Sequence, residues 1–313
     1  MTDHQMTMNK SIVNQSKTIY SEQFAENFHP IWIYRIKFIA RALFYRKAFN
    51  YLANNIEESV LEMLCTRSHR FLEKPFRPYI IKNNPAIDRS ELVIEHYKTA
   101  SELISPTLMK QIYTDSKGLT LMTFEINEIL YTVKLVYEER YQKEGDMSLV
   151  LHSQEDGNFY TNSFILGNEN GIRCIKIGGL RDPRSNETSN EKIKNLTRQL
   201  YGQRPKSLMV SLLSILAQIW GIETILAVKT QSHTFAAKRY KKGRIKTDYD
   251  ALWIELGGTE YDRNFYSLSV NAPRRDIEGM SRSKRSMYRR RYEWLDNTKT
   301  TFEEALKYSY DEW

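Results

Sequence analysis

From Tyr201 to Val228 the chain runs through a basic turn, a helix apolar over most of its circumference and an apolar strand, an order that few folds accommodate. Pro205 has the fixed φ and missing N–H that suit the first turn of a helix, and Gly221 sits where a helix ends. Between them Ser207, Ser211, Ser214 and Gln218 recur at steps of four, three and four, so they form one narrow polar stripe. Leu208, Met209, Leu212, Leu213, Ile215, Leu216, Ile219 and Trp220 cover the rest, which predicts a helix buried on most sides. The run Ile225-Leu-Ala-Val228 shows no alternation, as a central strand covered on both faces does not. With a first strand at Gly171 to Ile177, the unit reads as strand, crossover helix and parallel strand.

A buried helix needs a large core around it, and 313 residues with 41% hydrophobic and 12% aromatic content can supply one, as one large domain or two. The net charge of +8 favours phosphate-bearing ligands, nucleic acid or anionic membranes without choosing among them. Cys65 and Cys174 lie far apart with no CxxC, and the six His residues show no ligand spacing. No metal site and no disulfide framework are expected, and the compartment is expected to be reducing. The first twenty residues lack an apolar leader core, and no run reaches eighteen apolar residues, so neither secretion nor a membrane span is predicted. The expected location is the cytoplasm, with peripheral attachment at the inner membrane left open.

Residues 1–20, rich in Ser, Thr, Asn and Gln, are read as a mobile arm. A helical region follows over 21–116, opened by Pro30, with further helices near Ile56 to Arg67, Glu91 to Ile104 and after Pro106. In its first helix Ile31, Tyr34, Phe38, Ala42 and Tyr45 share an apolar face, while Arg35, Lys37, Arg41, Arg46 and Lys47 supply a basic one. That face is either an interfacial membrane helix or a domain helix with solvated cations. At Gly118 the period changes to two, predicting a strand pair joined at Asn127-Glu128 and further strands at Ser148 to His152, Phe159 to Leu166 and Ile172 to Ile177. Gly178, Gly179 and Pro183 are expected to end that last strand in a turn, and Ser232 to cap a short helix through Tyr240. An antiparallel meander followed by a parallel crossover implies an α+β fold with a mixed sheet over 117–270.

Residues 271–313 are read as a basic C-terminal helical segment in which Arg289, Arg290 and Arg291 are interleaved with Tyr288 and Tyr292. On a helix this pattern suits RNA or an anionic surface; equally, it suits a terminal helix docked by its aromatic face.

Ile177-Gly-Gly-Leu-Arg-Asp-Pro183, Tyr201-Gly-Gln-Arg-Pro-Lys206, Ala227-Val-Lys-Thr-Gln-Ser-His233, Tyr249-Asp-Ala-Leu-Trp253 and Lys284-Arg-Ser-Met-Tyr-Arg-Arg-Arg-Tyr292 resemble the VirK/YbjX family of Gram-negative bacteria. Arg77-Pro-Tyr79 and Glu95-His-Tyr97 extend the resemblance over nearly the whole chain. It implies an association with virulence and with resistance to host antimicrobial peptides, and no settled biochemical activity.

At the level of fold, the run from Arg204 to Tyr240 is similar to the second half of GNAT-type acyltransferases, so the sheet is expected to be GNAT-like, with flanking helices. That resemblance implies an acyl-CoA or other activated acyl donor held at the start of the central helix by Gly202, Gln203, Arg204, Lys206 and Ser207. It also places Tyr240 where a general acid would protonate the departing group. His233 is a candidate base or a hydrogen-bonded capping residue, and Asp182 a cleft residue or an ordinary turn. The small glycines of the GNAT loop are replaced by Ser207 and Leu208, and Pro205 removes one N–H donor. Two readings follow: an acyl- or aminoacyl-transferase acting on a peptide, lipid or protein acceptor, or a non-catalytic RNA-binding or chaperone-like protein.

Overall fold

A computed structural model describes residues 30–307 apart from 68, 184–186, 241–244, 246 and 272–273, together with 12, 16, 17 and 20. The predicted arm therefore lies mostly outside the described residues, although Ser16 and Tyr20 are buried.

The helical region comprises α1 (Ile31–Phe44), α2 (Arg46–Asn55), α3 (Glu58–Arg67), a 3-10 segment at His69–Phe76, α4 (Ala86–Leu103) and α5 (Pro106–Thr114). Local chemistry sets its boundaries: at α5, Ser105 accepts from the Leu108 N–H while Pro106 occupies the first turn. The meander follows as β1 (Leu119–Ile126), β2 (Ile129–Val136), β3 (Met147–Ser153), β4 (Gly157–Glu169) and β5 (Ile172–Arg181). Asn127 and Glu128 both take positive φ (51° and 65°), the two-residue hairpin turn that matches strand twist.

After β5 come α6 (Glu187–Gln199) and α7 (Pro205–Ile219), then β6 (Thr224–Val228), α8 (Tyr249–Glu255), β7 (Thr259–Glu260), β8 (Phe265–Ser269) and α9 (Arg282–Lys307). The eight strands form one sheet in the order β1-β2-β3-β4-β5-β6-β8-β7. Every pairing is antiparallel except β5 with β6, where Ile175 faces Ile225 and Ile177 faces Ala227. The expected mixed sheet and parallel crossover are therefore present. Helix α7 packs on β3, β4 and β6, and α4 packs on β4. Leu212, Leu213 and Leu216 of α7 have no exposed area, so truncating any one to Ala costs about 2–5 kcal/mol. One continuous core runs from Phe38 in α1 to Phe302 in α9.

Two local expectations are corrected. Gly178 and Gly179 do not end β5, which continues through Arg181. They are internal because another segment crosses there: a Cβ on Gly178 would lie 2.0 Å from the Glu144 carbonyl oxygen, and one on Gly179 would lie 2.8 Å from the Glu144 carboxyl carbon. The helix expected from Ser232 to Tyr240 is instead two 3-10 turns, Thr230–Ser232 and Thr234–Ala236. His233 stands extended between them (φ −54°, ψ 146°), and the Ser232 hydroxyl bonds Asn264 Oδ1 at 3.0 Å, so it caps nothing. The basic tail forms α9, which lies against β1 and α7 with Thr298 and Phe302 buried and Trp294 edge-on to Phe124 at 5.8 Å.

Candidate functional site at the start of the crossover helix

In a sheet with a parallel crossover, the crevice beyond the C-terminal ends of the parallel strands is where chemistry collects. Here β5 delivers Arg181 and Asp182 to that edge, the turns after β6 deliver His233, Phe235 and Tyr240, and α7 begins beside them.

The edge is organised around Glu144, on the loop between β2 and β3. Its side chain is wholly buried, with Arg181 Nη2 on Oε1, Arg181 Nε 3.2 Å from Oε2, and His233 Nε2 2.9 Å from Oε1. Burial alone would raise this carboxyl; the His233 contact and the Arg181 guanidinium outweigh it and hold it below the usual carboxylate range. His233 accepts the Phe235 N–H at Nδ1 (3.2 Å), which leaves the proton on Nε2 facing Glu144, and its ring stacks on Tyr249 at 5.2 Å. Both imidazole nitrogens are thus turned to protein groups, and His233 is the N-cap residue of the turn at Thr234–Ala236. Tyr249 in turn bonds the Leu180 backbone, closing the cluster onto β5.

Outside this buried ion cluster lies a half-exposed layer of rings and cations. Arg181 sits over Phe235 (5.2 Å), Lys143 over Tyr240 (4.9 Å), and Phe235 packs edge-on to Tyr240 (5.0 Å). Behind it the helical region is tied in: Ile80, with a φ of 59° that β-branched residues rarely adopt, donates its N–H to the Lys143 carbonyl at 2.9 Å, and Lys82 donates to Ser232 at 2.9 Å.

At the helix start, Tyr201 and Gly202 end α6 with positive φ (54° and 74°), and the Gly202 N–H returns to Thr197 at 2.8 Å. Arg204 is the N-cap residue and makes no side-chain cap, so the Lys206 and Ser207 amides have no acceptor within the helix. Lys206 pairs with Asp182 at 2.9 Å, joining the helix start to the end of β5, while exposed Arg204 pairs with Glu255 at 3.1 Å. Gln203 is buried and donates to Ser211 at 2.8 Å.

The polar stripe of α7 faces a cavity of about 270 Å³ roofed by α9. Ser207, Ser211, Ser214 and Gln218 line one side; Arg274, Arg291 and Lys299 line the other, against a single acid, Asp296. Arg291 donates to the Tyr201 carbonyl through Nε (3.1 Å) and Nη2 (2.5 Å), and Lys299 reaches Gln218 Oε1 at 3.2 Å. Two features that are separate in the sequence, the serine stripe and the basic tail, therefore meet.

The predicted residues divide between two places. Asp182, His233 and Tyr240 belong to the strand edge, bridged to Lys206; Gln203, Ser207 and Arg291 line or adjoin the cavity. Arg289 and Arg290 are exposed on α9, and Gly202 packs beneath Arg291. Leu208 is in the core with no exposed area. The sequence reading missed Glu144, Lys143 and the cavity cations Arg274 and Lys299. A signal for Glu144 was present: paired glycines inside a strand mark close approach of another segment. Among the described residues no group of His, Cys, Asp and Glu could hold a metal ion.

A family described as "Protein of unknown function (DUF535)" matches residues 30–304. An "Uncharacterized protein YbjX" of Escherichia coli (strain K12) is 30% identical over 267 residues, covering 84% of this chain and 80% of that protein. An "Uncharacterized protein" of Haemophilus influenzae is 25% identical over 264 residues, covering 84% and 87%. The resemblance to the VirK/YbjX family is borne out by these matches.

Proposed function

The chain belongs to the DUF535 family, and on that premise we propose that it is a transferase taking an acyl or aminoacyl group from a phosphate-bearing donor bound at the start of α7. The observation that carries this reading is the meeting of the serine stripe of α7 with three tail cations in one cavity, on a helix whose first turn is tied by the Lys206–Asp182 ion pair to the edge that bears Tyr240. A volume of about 270 Å³ lies just under the roughly 300–1,000 Å³ of sites that enclose a drug-sized ligand, so the cavity takes part of a donor and leaves the rest outside.

The donor supplies the activated acyl carbon. Arg274, Arg291 and Lys299 neutralise its phosphates, and the Ser207 and Ser211 hydroxyls fix their orientation. An amine or hydroxyl of the acceptor attacks the acyl carbon and the bond to the donor's sulfur or oxygen breaks; Tyr240 passes its phenolic proton to that departing atom and takes up the proton that the acceptor's nitrogen or oxygen gives up, ending neutral. Glu144 and His233 hold Arg181 and the Phe235 turn behind Tyr240, as positioning residues. The VirK/YbjX resemblance directs the acceptor toward a peptide, lipid or protein of envelope defence. A cytoplasmic site is part of the proposal.

A second reading, an RNA-binding protein without catalysis, is favoured by exposed Arg289 and Arg290 next to Arg291. Calorimetry with acyl-CoA and aminoacyl-tRNA, followed by mass spectrometry of candidate acceptors, tests both. Binding that Ser211→Leu abolishes by filling the cavity, with acyl transfer that Tyr240→Phe slows at unchanged affinity, supports the transferase. RNA binding with no transfer leaves the second reading, and no binding of either donor to the folded protein overturns the first.

A further inference from the structure

Helix α1 carries two apolar faces, and only one is used by the core. On the inner face Phe38 and Ala42 are fully buried, and Phe38 meets Phe49 at 5.9 Å and Phe76 at 5.6 Å. On the outer face Trp32, Ile36, Leu43 and Phe44 are 61%, 55%, 58% and 81% exposed. Trp32, Ile36 and Leu43 follow at steps of four and seven, on one side of the helix, with Ile39, half-buried against the core, at the margin between them. Scattered exposed apolar side chains are ordinary; a contiguous stripe marks an interaction surface. Of the ten exposed large hydrophobics among the described residues, five (these four and Tyr51) lie on α1 and α2.

The charge around the stripe selects its occupant. From Pro30 to Ile56 the chain carries Arg35, Lys37, Arg41, Arg46 and Lys47 and no Asp or Glu. An apolar protein groove would not call for a run of cations with no acid among them, and RNA would not call for bare aliphatic side chains. An anionic bilayer calls for both, the apolar side chains entering the acyl boundary and the cations meeting the headgroups. At 14 residues α1 is well short of the ~20 needed to span, so it would lie in the plane of the surface. We propose that α1 docks flat onto an anionic phospholipid surface through Trp32, Ile36, Leu43 and Phe44, with Lys37 and Arg41 against the headgroups.

The docked face adjoins the candidate site. Phe44 and Tyr45 share a surface hollow with Phe76 and Arg239, the residue before Tyr240. Resting on the transferase reading, this proximity means that the acceptor is reached from the bilayer side and is itself a membrane component.

The test is flotation of the full chain with vesicles of phosphatidylcholine alone and of phosphatidylcholine containing phosphatidylglycerol. The expected result is binding to the anionic vesicles only, weakened by salt. Trp32→Ala with Phe44→Ala should lower it at least about tenfold at an unchanged unfolding midpoint, since both side chains are exposed. Lys37→Glu with Arg41→Glu should abolish it. Failure to bind anionic vesicles, equal binding to neutral ones, or binding indifferent to the Trp32 and Phe44 pair overturns the proposal. So does loss of binding in Arg289→Ala with Arg290→Ala instead, competition by RNA that leaves no vesicle-bound protein, or a wild-type dimer that the Trp32 and Phe44 changes dissociate. Donor calorimetry is a separate readout, so failure of docking and failure of the transferase reading are distinguishable.

Discussion

His233 and Glu144 face each other at the buried edge of the sheet, Nε2 2.9 Å from Oε1, with 1% and 0% of their side chains exposed. A carboxylate so deeply buried persists only because Arg181 also grips it, and the three residues come from a loop after β2, the end of β5 and a turn after β6. The cluster therefore pins three distant segments at the place where the proposed chemistry occurs.

Glu144 should govern acid stability at the low end of the pH range. Its folded carboxyl titrates below the usual value, so its contribution is complete above the unfolded value of about 4.3 and is lost as pH falls through the folded one. Removing one partner of a buried pair costs about 3–5 kcal/mol, the loss expected at pH 7 for Glu144→Ala. Glu144→Gln should lose less and show a flatter profile below about pH 4. Urea midpoints from pH 7 to pH 3 check both; a parallel profile for wild type and Glu144→Gln would remove the assignment.

The paired glycines should respond unequally to an added methyl. Gly178→Ala puts a Cβ 2.0 Å from the Glu144 carbonyl oxygen, backbone that cannot swing aside, whereas Gly179→Ala meets the carboxyl end of the side chain at 2.8 Å. Gly178→Ala is expected at or beyond the upper end of the roughly 1–3 kcal/mol of overpacking, and Gly179→Ala below it. Thermal melts of the two variants give the order directly.

His96 defines a second, higher pH window. Its imidazole is fully buried, with Nδ1 accepting the Leu166 N–H at 3.0 Å and Nε2 2.7 Å from the Tyr113 hydroxyl. Burial pushes its pKa down to about 4. Below the unfolded value of about 6.5 the unfolded chain takes up a proton that the folded chain refuses, so stability declines from about pH 6.5 and levels off near pH 4. The decline is on the order of 3 kcal/mol. His96→Asn should start less stable at pH 7 and show a shallower fall between pH 6.5 and pH 4.5.

The three tail arginines should separate by role. Arg291→Ala removes two charged hydrogen bonds to the Tyr201 carbonyl at a half-buried site and should cost roughly 1–2 kcal/mol. Exposed Arg289→Ala and Arg290→Ala should stay within about ±0.5 kcal/mol. If either contacts RNA phosphate, its removal lowers the salt slope of binding by about 0.7, read from titrations at several salt concentrations.

The crossover was legible because it rests on local rules. Pro205 and Gly221 bound α7, the four-three-four serine spacing gives it one polar side, and the unbroken Ile225 to Val228 run can be stable only as a covered strand. The hairpin at Asn127-Glu128 and the helicity of the basic tail were read the same way, from turn length and period.

The candidate site was not readable in that manner, because its parts are held together across the fold. Nothing near Lys143-Glu-Gly-Asp146 says that Glu144 will be buried, since only the arrival of Arg181 and His233 makes a charge tolerable there. The turn at His233 went the same way: Ser232 has the chemistry of a helix cap, but Asn264 and the Lys82 N–H claim its hydroxyl and carbonyl. For the cavity, the sequence by itself determined that α7 would have a polar stripe and that the tail would be basic and helical. Only the tertiary structure decided that the two would face each other, because amphipathic periodicity specifies a side of a helix and carries no information about which distant segment will cover it.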